Sequence, residues 1–320
     1  MRIGSVIRTG LAGLAMLCGG GWLAAQTPAP MPQPGATAAI PPGTYAPGRR
    51  MPGYEDPYAG KKRVLLVADL HTGNQNAHDA VSHAMATLER ITRAAGIVLY
   101  IRTDTEWVTK QEVWGTGDYA KGGRRQARGR NLKDFDAVVF YTNGDLDLSD
   151  EQKAALLGFV HDDGKGFVGI HTATATASKW PEYGAMIGAY FDNHPWGIVD
   201  AKVIVERPDA PEMKGYLKSP IVKDEHYQMM APYDRANLDV LARIDTKSVD
   251  LKNPNVHRTD GDFPVAWIKD YGKGRVFYSG LGHSDASWDD PRQQTMFLEA
   301  IKWAAGVTDY PVRPHPLPGK

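Results

Sequence analysis

Cysteine is almost absent from this 320-residue chain: Cys18 is the only one. It lies inside an N-terminal stretch that reads as an export signal, so the mature protein would carry none. A folded domain without cysteine has no disulfide framework and no thiolate nucleophile. Charge of one sign is lacking too. Lys and Arg number 37 and Asp and Glu 37, so nothing drives the chain as a whole towards nucleic acid or an anionic membrane. No apolar run reaches the roughly 20 residues that span a bilayer. The longest N-terminal run, Leu11–Leu17, is short and contains glycine. With Arg2 and Arg8 before it and Ala24-Ala25 after it, it fits a cleaved signal over residues 1–25 rather than a stable membrane anchor. Leu17 before Cys18 argues against lipidation. The expected location is therefore periplasmic or secreted.

Large apolar side chains are also scarce between Gln26 and Gly60, where Pro, Gly and Ala dominate. Such a stretch cannot bury enough surface to fold, and it reads as a linker. From Lys61 the pattern changes. Val64–Ala68 is a continuous apolar run of the kind found in central parallel strands. A Gly/Asn loop at 71–76 follows. A helix is then expected with Val81, Ala84, Met85, Leu88 and Ile91 on one face, ended by Gly96. Ile97–Ile101 and Ala137–Tyr141 read as further strands. Ser149 with Gln152 forms a capping box ahead of a helix carrying Leu156, Phe159 and Val160. Between them, residues 103–134 hold Trp107, Trp114 and a basic run from Lys121 to Arg130, read as a solvated loop with a lid or anion clamp as the sharper alternative.

The next run, Gly166–Ile170, stops at His171 and is followed by small residues. A buried strand ending in a tight turn holds one side chain at the carboxyl edge of a sheet, where ligands bind in α/β folds. Enzymes with this elbow usually place Ser or Cys at its tip. His171 there points to imidazole chemistry or metal ligation. Downstream, Trp180–Ile187 reads as a helix, and Val199–Val205 and Val240–Ile244 as strands. Pro264–Ile268 and Arg275–Ser279 read as a hairpin turning at 271–274. A last helix starts at Asp289-Asp290-Pro291, buries Met296, Phe297, Ala300 and Ile301, and ends at Gly306. Residues 309–320 read as a proline-rich tail. The alternation of strand and helix predicts a doubly wound, mostly parallel α/β sheet in a single domain over residues 61–308.

Histidine collects where strands end: His71 and His78 after the first, His171 at the elbow, His283 after Arg275–Ser279. His83, His161, His257 and His315 read as structural. Asp224-Glu225-His226-Tyr227-Gln228 packs two carboxylates and an imidazole together. In an extended strand Asp224 and His226 share one face and Glu225 the other. The cluster is read as a general base, a metal ligand or a polar wall for sugar hydroxyls, against a solvated turn. In Gly280–Trp288 two glycines expose His283, with Asp285 near it as an orienting or turn-capping carboxylate. No HExxH or paired CxxC spacing and no G-x-S-x-G is present, so neither a zinc motif nor a serine triad is written in the pattern itself.

Four segments, GFVGIHTA at Gly166–Ala173, GAYFDNHP at Gly188–Pro195, DEHYQM at Asp224–Met229 and the long Phe263–Pro291, resemble the ThuA-like (trehalose utilisation) family. The resemblance runs from about Lys61 to Gly306. It implies a flavodoxin-like sandwich similar to class I glutamine amidotransferases, but with His171 in place of their elbow cysteine, which excludes thiolate glutamine hydrolysis. It also implies metabolism of disaccharides or 3-keto sugars, with metal binding in some members. Carried over by motif, His171, His194, Glu225 and His283 form the expected metal-ligand set for zinc or manganese, and His78 joins the site. His171, Asp224, Glu225 and His283 are the catalytic candidates. His78, Trp180, His194, Tyr227, Asp285 and Trp288 are candidates for substrate contact, and Trp196 too is an aromatic able to stack on a sugar face. The reading that follows is an exported hydrolase, isomerase or lyase acting on a small-molecule carbohydrate, without nucleotide cofactor or nucleic acid. The alternatives left open are a non-catalytic carbohydrate binder or scaffold, and a homodimer.

Overall fold

A parallel strand buried on both faces must be apolar along its whole length, and three of the runs above meet that demand. Val64–Val67, Ala137–Phe140 and Gly166–Ile170 are buried without interruption. The computed structural model describes residues 58–68, 78–113, 129–218 and 220–318. The expected signal and nearly all of the expected linker, the 71–76 loop with His71, Trp114 and all of the basic run but Arg130 lie outside the described residues.

In chain order the elements are β1 (Arg63–Val67), α1 (Ala80–Ala94), β2 (Val98–Arg102), β3 (Ala137–Phe140), α2 (Asp150–His161), β4 (Gly166–Ile170), α3 (Pro181–Ile187), β5 (Tyr190–Asn193), β6 (Ile198–Val205) and β7 (Ile221–Glu225). There follow β8 (Gln228–Met230), β9 (Asp239–Ile244), β10 (Pro264–Tyr271), β11 (Gly274–Ser279), α4 (Asp285–Asp289) and α5 (Pro291–Ala304). Among the described residues the main sheet has nine strands in the order β2-β1-β3-β4-β11-β10-β9-β6-β7. The first five are parallel, and with β11 as the fifth they reproduce the flavodoxin-like order 2-1-3-4-5. From β11 outward the pairing is antiparallel, through the β10/β11 hairpin to β9, β6 and β7. The parallel core is the one expected from strand–helix alternation. The antiparallel flank carries no intervening α-helix among the described residues, only short 3-10 turns at Pro211–Tyr216 and Thr246–Ser248, and its extent was not announced by that alternation. A separate ribbon pairs β5 with β8.

Helices α1 and α5 pack on one face and α2 and α3 on the other, giving two apolar layers around the sheet. The capping box of α2 is reciprocal: Gln152 N donates to Ser149 Oγ and Ser149 N to Gln152 Oε1. Asp290 caps α5 ahead of Pro291, and Met296, Phe297, Ala300 and Ile301 are fully buried. Where α5 ends it presses on β4: a Cβ on Gly166 would stand 2.2 Å from the Ala304 carbonyl oxygen. Residues 309–318, the described part of the expected tail, are irregular but docked. Tyr310 rests on Trp303 at 5.5 Å, and Arg313 N donates to Asp239 at 2.7 Å. Among the described residues no helix is long and apolar enough to cross a membrane.

Candidate metal and active site

The carboxyl ends of β1, β3, β4 and β11 lie along one edge of the sheet, and the order reverses between β1 and β3. Loops there open a crevice, which is where α/β sheets bind ligands. His171 leaves β4 at φ +46°, in the left-handed region that residues with a Cβ rarely occupy. Three bonds hold this turn. Tyr278 Oη donates to the His171 carbonyl at 2.7 Å, Thr174 Oγ1 meets Tyr278 Oη at 2.8 Å, and Tyr183 Oη donates to the Ala173 carbonyl at 2.8 Å. A strained residue so well supported at a sheet edge is a candidate functional position. The ring direction is fixed as well. His171 Nδ1 lies 2.7 Å from the Gly280 carbonyl oxygen, which can only accept, so Nδ1 carries a hydrogen and the Nε2 of a neutral ring presents a lone pair.

His283 arrives on the loop after β11. Gly282 takes φ +122°, and the loop's amides reach Asp224: Gly282 N donates to Oδ2 at 2.8 Å and His283 N to Oδ1 at 3.1 Å. Asp224 also accepts from Glu225 N at 2.8 Å and is fully buried. Its neighbour Glu225 ends β7 and points the other way, as strand alternation requires. Glu225 Oε2 stands 3.1 Å from His283 Nδ1 and 3.5 Å from His171 Nε2. His171 Nε2 and His283 Nδ1 are 3.2 Å apart. His78, just before α1, sets its ring edge-on to both, with centroids 4.8 Å from His171 and 4.6 Å from His283.

One ligand atom from each of His78, His171, Glu225 and His283 thus lies within 4.8 Å of the others. Three of them form a triangle with sides of 3.1, 3.2 and 3.5 Å. Tetrahedral zinc with bonds of about 2.0–2.1 Å separates its ligand atoms by about 3.3–3.4 Å. An octahedral ion with bonds of about 2.2 Å separates neighbouring ligands by about 3.1 Å. The donor set and its spacing fit a first-row divalent ion, and imidazole with carboxylate suits zinc or manganese. Burial disfavours ionised Glu225, but the His171 and His283 imidazoles beside it outweigh that and hold the carboxyl below its usual range. His283 is held above the usual imidazole range by its hydrogen bond to Glu225.

His78, Glu225 and His283 line a cleft of about 960 Å³, walled also by Phe191, His194, Tyr227, Asn143 and Asp285, with fully buried His171 behind them. That is near the top of the size range of small-ligand pockets, about 300–1,000 Å³. Of the residues singled out in the sequence, His171, Glu225 and His283 meet, and His78 joins them in the ligand group. His194 stands at the rim instead. It stacks on Phe191 at 5.8 Å with Nδ1 3.6 Å from Glu225 Oε1. Tyr227 and Asp285 line the cleft. Asp224 does not face it; its oxygens are taken by three backbone amides, so it holds the His283 loop instead of acting as a base. Trp288 is sealed in the core, stacked on Phe297 at 5.1 Å with Nε1 donating to the Gly282 carbonyl. Trp180 caps α3 against Tyr183 at 5.6 Å, and Trp196 packs on Phe263 at 5.0 Å. Neither Trp180, Trp196 nor Trp288 is among the residues lining the cleft. Phe191 is, and nothing in its spacing within GAYFDNHP marks it. His226 is buried, bonded to the Val222 carbonyl at 3.2 Å, and burial lowers its pKa. His83, His161, His257 and His315 make carboxylate or carbonyl contacts away from the cleft.

A ThuA-like protein, so described, from Bacteroides uniformis has a similar fold, with a TM-score of 0.58 at 22% identity over 79% of this chain and 95% of its own. Another from Parabacteroides merdae gives 0.53 at 20% identity over 77% and 90%. Among curated proteins none matches. The sequence profile described as ThuA, trehalose utilisation, matches residues 63–304. That range takes in every element from β1 to α5 and all four residues of the ligand cluster, and the chain belongs to the ThuA family.

Proposed function

We propose that this protein is a divalent-metal enzyme of carbohydrate catabolism, cleaving, isomerising or eliminating next to a keto group. The observation that carries the reading is the convergence of three imidazoles and one carboxylate, of which His78, Glu225 and His283 line an open cleft. Carbohydrate as the substrate class rests on the family.

His78, His171, Glu225 and His283 would hold the ion. A divalent ion in such a site polarises a carbonyl or supplies hydroxide at neutral pH. Asp224 fixes the loop that carries His283. His194, at the rim and half exposed, is positioned to exchange a proton with a substrate oxygen, while Asn143 and Asp285 offer polar contacts to hydroxyl groups. Phe191 offers an apolar face to a sugar ring.

Metal content of the purified protein and turnover of a 3-keto-disaccharide test the reading. About one zinc or manganese per chain is expected, lost in His283→Ala together with activity. A metal-free protein that binds sugar without turnover would overturn it in favour of a binding protein. Export from a signal over residues 1–25 belongs to the same proposal. N-terminal sequencing of protein recovered from cell fractions checks it: a retained Met1 in the cytosol would end it.

A further inference from the structure

Tyr227 occupies the two-residue gap between β7 and β8 and is almost fully buried, at 5% exposure, yet it lines the cleft. Its ring is fixed from two sides. It stacks on His171 at 4.5 Å and takes the edge of Phe191 at 4.5 Å. A phenylalanine would fill the same space, so the hydroxyl needs its own account. That hydroxyl lies 2.8 Å from His171 Nε2. Because Nδ1 donates to Gly280, Nε2 accepts and Tyr227 donates.

The same Nε2 is a vertex of the ligand triangle. An imidazole nitrogen has one lone pair, which cannot serve a hydroxyl and a cation together. When a cation takes it, the Tyr227 hydroxyl loses the one acceptor it has among the described residues. A buried O–H without an acceptor is unfavourable, and an oxygen bound beside the cluster would satisfy it. We infer that Tyr227 is a catalytic hydrogen-bond donor, parked on His171 in the metal-free protein and released by the metal to the substrate's carbonyl or developing oxyanion. A donor held rigidly beside the site of charge development is the arrangement that stabilises oxyanions. This rests on the metal reading above.

The inference makes metal and Tyr227 competitors for one lone pair. Tyr227→Phe keeps both ring contacts and removes the competitor. Calorimetric titration with zinc should therefore find affinity unchanged or up to about tenfold tighter than wild type. Acetohydroxamate, a small oxyanion probe, should bind the zinc-loaded variant at least about tenfold more weakly than zinc-loaded wild type. In wild type, a tyrosine ultraviolet difference band should appear on adding zinc and change again on adding acetohydroxamate, which serves if the variant does not fold. Zinc affinity reduced tenfold or more would make Tyr227 a ligand or a ligand-orienting group and overturn the inference. So would equal acetohydroxamate affinity in both proteins, or no difference band. If wild type binds no zinc, the metal reading itself fails and the inference falls with it; if zinc binds and only the hydroxyl effects are missing, the metal reading stands alone.

Discussion

Replacing Asp224 by Asn tests how the site is held, because it alters one atom that touches no ligand. Asp224 is fully buried and its two oxygens accept three amides, at 2.8 Å from Glu225, 2.8 Å from Gly282 and 3.1 Å from His283. Asn keeps one acceptor. If its oxygen serves Glu225 and His283, its NH₂ faces the Gly282 N–H, donor against donor. A hydrogen bond to a charged group is worth about 1.5–3 kcal/mol, and an unmet buried donor costs about 1–3 kcal/mol. After partial relaxation Asp224→Asn should destabilise the metal-free protein by about 3 kcal/mol, near a hundredfold in the folding equilibrium. The same loop carries His283, so zinc affinity should fall about 10–100-fold, as for groups that orient metal ligands. Urea unfolding of the metal-free protein reads the first quantity and calorimetry the second. Stability within about 0.5 kcal/mol of wild type together with zinc affinity within threefold would refute the argument that this carboxylate anchors the loop.

Glu212, fully buried with Oε2 unpartnered, is pushed up to about 7 from 4.5 by burial, which the Tyr310 hydroxyl at 2.5 Å only partly offsets. The native state therefore binds this proton more tightly than the unfolded chain, and stability contributed by the group is lost as pH rises from about 4.5 to about 7. Glu212→Gln should gain about 3 kcal/mol at pH 8 and nothing near pH 4, and a variant whose unfolding free energy follows the same pH slope as wild type would contradict this. Gly166→Ala drives a Cβ into the Ala304 carbonyl at 2.2 Å, so a loss of at least about 3 kcal/mol is expected by chemical denaturation. Gly280→Ala, whose Cβ meets nothing nearer than 3.6 Å, should lose under about 1 kcal/mol.

Much of the fold is local in origin and therefore legible. Val64–Val67, Ala137–Phe140 and Gly166–Ile170 are apolar throughout because both sheet faces are covered. The Ser149/Gln152 box and the Asp290-Pro291 start reveal helices through bonds made within four residues. His171 and His283 stand out because each follows a strand at a bend. The antiparallel flank was harder to read, since β6, β7, β9 and β10 join without crossover α-helices and their order depends on distant pairing.

The sequence by itself determined that imidazoles gather at strand ends and that Asp224 and Glu225 must face opposite ways, because alternation along a strand is a property of the backbone. Only the tertiary structure decided which of those groups meet. Glu225 stands 3.5 Å from His171 although β7 and β4 are five places apart in the strand order, a meeting that no local pattern encodes. His78 replaces His194 in the ligand group because the entry to α1 lies over the parallel core, whereas the β5 ribbon holds His194 at the rim. Trp288 went to the core and Phe191 to the cleft because burial is set by what packs over a side chain, and no spacing along the chain records that.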